Sequence, residues 1–393
     1  MIRYGADLLA ADPGLLGSAR RVALATNDAA RTAADPESRT RDVLLRAGVP
    51  LVRLFSPEHG LSASGPDGRA VGNGIDELTG LPVMSLYGER FAPPPEAVAE
   101  VDAVLFDIPD VGSRYYTYLW TLTHIIDACL HAGVPIWMLD RPNPLSGALE
   151  TVEGPLLELE HASFIGRHTI PIRFALTLGE FAQLWRRERQ PGADVRVIPC
   201  EGWERAWTWQ RTGLPFVAPS PALTNLDAVL LYGGLCLFEA TNLSVARGSE
   251  LSFQAVGAPW LDAERVIARF GERGIEGVSA VRTDFTPTVG PHAQTACDAV
   301  RIIIANAERL RPVAAGIALL ADVAATHPER FAWAHYPTAA NPSGSGHLER
   351  LVGTSTVYSV IDRAPESVDQ RLISDWTAAP GWADRWRSVL LYG

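Results

Sequence analysis

The sequence predicts an α/β protein: a parallel sheet in the first half of the chain and a smaller α+β unit after it. Three observations predict this. Short apolar runs up to Asp140 alternate with stretches of helical period. Each run ends in a polar cluster. The chain, at 393 residues, is longer than the roughly 250–300 residues over which a single core usually grows.

The apolar runs are Arg21–Asn27, Val49–Phe55, Ala103–Ile108 and Pro135–Asp140. Helical pattern separates them over Thr40–Ala47, at Ala97–Glu100 and over Tyr118–Ala132. Apolar strands joined by helices belong in a parallel sheet, and ligands of such sheets bind outside the carboxyl ends of the strands. Further on, Thr177–Arg189 opens with Thr177 and Glu180 at the spacing of a capping box. The Trp- and Pro-rich stretch Glu201–Pro221 reads as irregular. Leu226–Phe238 is uniformly apolar and reads as another strand. A helix near Ala263–Arg273, a strand near Val300–Ala305 and a helix over Pro312–Ala325 follow. The change of pattern places a domain boundary near Asn225, giving domains 1–224 and 225–393.

The formal net charge is −11, which opposes binding to a phosphate backbone, so no nucleic acid partner is expected. All 34 basic residues are Arg. Without Lys there is no P-loop Lys, no Schiff-base nucleophile and no pyridoxal-phosphate anchor. Four widely spaced Cys, with no C-x-x-C pair, point to buried thiols and not to a disulfide frame. No apolar run reaches the ~18 residues of a membrane span, so no membrane association is expected. Met1–Asp7 carries no leader pattern, which suggests a cytoplasmic protein or the trimmed form of a secreted one.

The polar strand ends supply the candidate site: Asn27; Pro57-Glu58-His59-Gly60; Asp107 and Asp110 with Arg114; and Asp140-Arg141-Pro142-Asn143. A carboxylate beside an imidazole, as in Glu58-His59, suits general acid–base work, although a solvated loop has the same composition. Asp107 can bind sugar hydroxyls, act as a base, ligate a metal or merely cap the next helix. Tyr116 and its aromatic neighbours suit either a stacking wall or a core. Arg141 in a proline-fixed turn suits bidentate grip of a carboxylate, or an internal ion pair with an Asp. Glu153 adds a carboxylate nearby, and Glu239, Asn242 and Arg247 can close the site from the second half. No zinc-type ligand spacing and no G-x-G-x-x-G after the first strand are present, so neither a metal nor a cofactor is expected.

Several of these segments, taken in order, resemble one family. Phe55-Ser56-Pro57-Glu58-His59-Gly60, Ser85-Leu86-Tyr87-Gly88, Phe106-Asp107-Ile108, Arg114-Tyr115-Tyr116-Thr117-Tyr118, Leu139-Asp140-Arg141-Pro142-Asn143-Pro144, Val152-Glu153-Gly154-Pro155 and Leu237-Phe238-Glu239 with Thr241-Asn242 and Arg247-Gly248 are similar to the successive signatures of NamZ-like exo-β-N-acetylmuramidases. The resemblance runs from about Asn27 to about Thr288. It implies a Rossmann-like N-terminal domain, a smaller C-terminal domain and an active-site cleft between them. It also implies release of terminal β-1,4-linked N-acetylmuramic acid, or a related amino sugar, from a peptidoglycan-derived saccharide or muropeptide.

On this reading Glu58 is the expected general acid, and Asp110, Asp107 and Glu153 are candidates for its partner. His59, Asn27, Tyr87, Arg114, Tyr116, Arg141, Asn143, Glu239, Asn242 and Arg247 are the expected substrate-binding residues. Arg141 or Arg114 is expected to meet the sugar's lactyl carboxylate. The chain departs from the family pattern at Leu61-Ser62-Ala63, at Phe174 and at Cys297-Asp298, positions expected to line or flank the site. Two rival readings are a metal-dependent hydrolase using Glu58, His59, Asp107 and Asp110, and a non-catalytic muropeptide-binding protein.

Overall fold

Val22 and Leu24 enter one apolar cluster while Ala23 and Ala25 enter another, so β1 (Val22–Thr26) is buried on both faces. That two-sided burial is what a parallel sheet requires of its strands. The computed structural model describes residues 1–393 and places β1 at the centre of a seven-stranded sheet. The other members are β2 (Leu51–Ser56), β3 (Gly74–Ile75), β4 (Pro82–Ser85), β5 (Ala103–Asp107), β6 (Ile136–Leu139) and β7 (Val195–Ile198), in the order β3-β4-β2-β1-β5-β6-β7. All neighbours pair in parallel except β3, a two-residue edge strand antiparallel to β4. Helices Thr40–Arg46, Pro95–Ala99, Thr117–Ala132 and Leu178–Arg189 lie in the crossovers. The last begins as its sequence suggests: Thr177 Oγ1 accepts from Glu180 N–H at 3.2 Å, and Glu180 Oε2 accepts from Thr177 N–H at 3.0 Å.

Leu226–Phe238 is not the expected strand. It forms a helix over Leu226–Leu235 and a 3-10 turn over Cys236–Ala240. A segment apolar on every side carries no period, so its caps and surroundings decide its form. Asn225 Oδ1 accepts from Ala228 N–H at 3.0 Å and starts the helix. The helix is apolar all round because it is enclosed, most closely by the helix Pro312–Thr326. A Cβ at Gly234 would lie 2.0 Å from Pro312 O, and one at Gly316 would lie 2.4 Å from Gly234 Cα, so only glycines permit this crossing.

The second sheet holds β8 (Ala255–Ala258), β9 (Val278–Phe285) and β10 (Cys297–Ile304), antiparallel in the order β8-β10-β9. One cluster of 79 buried apolar residues extends from Ala23 to Val389, so the parallel sheet and the second half share a core. A smaller cluster of 14 covers the other face of the parallel sheet. This shared core fixes the second half over the carboxyl end of β2. No helix is long and apolar enough to cross a membrane, and all four Cys are free and buried.

Candidate active site

The carboxyl end of β2 opens into a cleft lined by both halves of the chain. The first half of the chain contributes Glu58, His59, Tyr87 and Thr117 to its walls; the second contributes Glu239, Arg247, Tyr336 and Arg350.

Glu58 is buried, with both oxygens held. Oε1 accepts from Gly68 N–H at 2.7 Å, and Oε2 lies 2.8 Å from Thr117 Oγ1, at the start of the helix Thr117–Ala132. A hydroxyl both donates and accepts, so Thr117 can serve Glu58 in either protonation state. Burial, and then the Glu58 carboxylate, push the Tyr87 hydroxyl well above its ordinary range, which keeps it a neutral donor beside Glu58.

His59 takes a left-handed backbone conformation, φ 69°, which costs about 1–2 kcal/mol for a residue with a Cβ. The turn directs its ring inward. Nδ1 lies 2.8 Å from Gly65 O. A carbonyl only accepts, so Nδ1 carries the hydrogen and Nε2 faces Asp67 Oδ1 at 3.8 Å.

Asp67 continues into a charged group at the cleft mouth. Arg247 Nη1 donates to Asp67 Oδ2 at 2.5 Å, while Nε and Nη2 donate to Glu239 Oε1 at 2.8 and 2.5 Å. Burial works against the Arg247 charge, but the Glu239 carboxylate, Tyr336 and Asp67 outweigh it and hold the guanidinium firmly protonated. The Tyr336 hydroxyl donates to Glu239 at 3.2 Å, and its ring stacks on His347 at 4.6 Å. Burial, partly offset by Glu239, lowers the His347 pKa to about 4, so the imidazole is neutral at ordinary pH. Tyr87 and Phe164, also in the cleft lining, pack edge to face at 5.4 Å.

Family models meet almost end to end along the chain: the N-terminal model of exo-β-N-acetylmuramidase NamZ matches residues 22–227, and the C-terminal model matches 230–392. The chain belongs to the NamZ family. A curated relative, the peptidoglycan β-N-acetylmuramidase NamZ of Bacillus subtilis (strain 168), is 33% identical over 371 residues, covering 94% of this chain and 89% of the relative. Two solved structures of DUF1343 family proteins from Bacteroides fragilis share the fold. One superposes with a TM-score of 0.87 at 24% identity and the other with 0.74 at 28%, each covering 100% of this chain and 99% of its own.

Within this NamZ-family fold the residues expected from sequence separate into two groups. Glu58, His59, Tyr87, Tyr116, Glu239 and Arg247 line the cleft. Asn27 lies one layer beneath: its Nδ2 is 3.3 Å from the Tyr118 hydroxyl, which in turn is 3.4 Å from Glu58 O.

The others do not reach the cleft. Asp107 is paired with Arg141 by bonds of 2.5 and 2.9 Å, and Arg141 also donates to Arg31 O. Arg114 donates to four backbone carbonyls, those of Pro155, Ile170, Leu351 and Val352, at 2.6–2.9 Å. Neither arginine lines the cleft. Glu153 accepts from Val313 and Ala314 N–H at 3.3 and 3.0 Å, at the start of the helix Pro312–Thr326, and so joins the two halves of the chain. Asp110 accepts from Gly112 N–H at 2.7 Å in a separate cavity, where burial pushes its carboxyl up to about 7. Asn143 closes its own turn on Leu145 and Leu176, and Asn242 pins Arg330 and Ala332.

The metal-ligand grouping of Glu58, His59, Asp107 and Asp110 is not assembled, because the two aspartates lie outside the cleft that holds the other pair. The side chains that do converge with metal-like spacing are Glu158, Glu160 and His161, none of which lines the cleft. None of the family departures lines the cleft, although Leu61 directly follows the Glu58-His59-Gly60 loop. Phe174 is fully buried, Cys297 lies in the core of the second sheet, and Leu61 packs on the smaller cluster.

Asp67, Thr117, Tyr336 and Arg350 are cleft residues that the sequence reading did not single out. The Gly65-Pro66-Asp67-Gly68 turn is a local signal for Asp67, and Thr117 lies within the Arg114–Tyr118 family motif. Tyr336 and Arg350 carried no comparable signal.

Proposed function

We propose that this chain is an exo-acting glycosidase that releases terminal β-1,4-linked N-acetylmuramic acid from peptidoglycan fragments, with Glu58 as its proton donor. Membership of the NamZ family and the Bacillus subtilis relative's activity support the reaction. One observation supports the place: Glu58 is a buried carboxylate held from two sides in a cleft walled by both halves of the chain.

Glycoside hydrolysis needs an acid at the leaving oxygen and a second group that activates or stabilises the attack on the sugar. Glu58 protonates the glycosidic oxygen, and the Thr117 hydroxyl reverses its bond as the proton leaves. The second group has to come from the cleft. Asp67 and Glu239 are its remaining carboxylates, with side-chain exposures of 32% and 7%. Asp67 is the better placed, being more open, adjacent to the Gly68 amide that holds Glu58, and faced by His59 Nε2. Asp67 with His59 accordingly takes the partner role in this reading. Arg247 holds Asp67 in place.

The test is hydrolysis of chromogenic β-N-acetylmuramide and β-N-acetylglucosaminide by the wild type and by Glu58→Gln. Release from the muramide that the variant loses is the expected result. Turnover of neither sugar by the wild type would overturn the glycosidase reading, and an unimpaired variant would remove Glu58 from the acid role.

A further inference from the structure

The cleft is acidic, yet N-acetylmuramic acid is an anion. Its lactyl carboxylate would meet the carboxylates of Asp67 and Glu239. Like charges in a confined site oppose binding unless a cation is free to meet the incoming group. The cleft has two guanidiniums, Arg247 and Arg350. Arg247 is already saturated by two carboxylates. Arg350 forms no ion pair, and its one hydrogen bond, from Nη1 to Ser345 O at 2.5 Å, leaves most of its donor fork unused.

From this difference we infer that Arg350 is the specificity residue that grips the lactyl carboxylate of the terminal sugar. The inference rests on the proposed muramidase reading and adds the group that recognises the substrate's charge. Arg350 sits on the helix His347–Val352. That helix is locked from the first half of the chain, because Arg114 Nη2 donates to Leu351 O and Val352 O at 2.6 and 2.7 Å. Arg350 is thus a half-buried cation on a pinned support. A planar guanidinium so held can offer two parallel N–H bonds to a carboxylate, which an ammonium cannot reproduce. Arg114 is a positioning residue for Arg350 and does not itself touch substrate.

Calorimetric binding of free N-acetylmuramic acid, its lactyl methyl ester and N-acetylglucosamine tests this, with turnover of the chromogenic muramide measured in parallel. The wild type is expected to bind the acid at least ~10-fold more tightly than the ester, the ratio that a charged hydrogen bond supplies. Arg350→Gln is expected to bind acid and ester equally, with N-acetylglucosamine affinity unchanged. On the chromogenic muramide the loss is expected in KM, with kcat largely kept. Arg350→Lys should restore part of the acid preference and guards against loss of fold in the Gln variant. A wild type that does not prefer the acid, or an Arg350→Gln protein that keeps the preference, overturns the inference. Acid preference without muramide turnover would leave Arg350 as the anion-binding group and overturn the glycosidase reading instead.

Discussion

Two Asp–Arg pairs in this molecule have the same chemistry and opposite settings. Asp107 and Arg141 join the ends of β5 and β6, with side-chain exposures of 0% and 13%. Asp67 and Arg247 join the two halves of the chain at the cleft mouth, with exposures of 32% and 13%. The first pair is closed by further bonds from Arg141 to Arg31 O and Thr40 Oγ1. The second is open on the Asp67 side, with the His59 ring 3.8 Å away. A polar strand end is therefore not a site by virtue of its residue types. It becomes one when tertiary structure leaves some of its groups incompletely satisfied and facing a cavity.

Substitutions that separate frame from cleft can break or sharpen this contrast. The largest effect is expected from Glu58→Gln: a fall in kcat of roughly 100- to 10,000-fold, the range of general acid catalysis, with an almost unchanged melting temperature. Next is Arg141→Ala, which strands Asp107 and is expected to lose about 3–5 kcal/mol of stability in urea denaturation. The folded variant should keep its KM for the muramide. A KM that rises for the muramide alone would return Arg141 to the substrate and erase the contrast.

Asp67→Asn should do the opposite of Arg141→Ala. Its side chain is about a third exposed, so the stability loss is expected to be about 1 kcal/mol or less, while kcat falls at least ~10-fold if Asp67 is the partner group. A normal kcat would assign that role to Glu239 or His59.

The last effect concerns pH. Burial lowers His347 from its ordinary value near 6.5 to about 4. A depressed histidine favours the folded state fully above its unfolded pKa, and that contribution is lost as pH falls towards its folded value. Melting temperature is therefore expected to fall between pH 6.5 and about 4, less steeply in His347→Gln. Parallel pH curves for the two proteins would remove His347 as a contributor.

The strands legible in the sequence were those with clear boundaries and two apolar faces, β1, β2, β5 and β6. The edge strand β3 was missed because two residues are too few to show a period. Leu226–Phe238 was misread because enclosure by the helix Pro312–Thr326, through Gly234 and Gly316, removes the polar face that would reveal a helix. At the site, Glu58, His59, Tyr87, Tyr116, Glu239 and Arg247 were legible as reactive or polar residues in motif-bearing loops. Arg114 and Glu153 were equally prominent, but their roles depend on carbonyls and amides 238 and 160 residues away.

The sequence by itself determined the α/β class, the family and the loop that carries Glu58, since these rest on local pattern and on motifs in fixed order. Only the tertiary structure decided which charges face the cleft. It withdrew Asp107, Arg141, Arg114 and Glu153 into the frame and brought Asp67 and Arg350 to the cleft. The physical reason is that sequence specifies a side chain's charge and donors, whereas the partners that satisfy or leave them free arrive from distant parts of the chain.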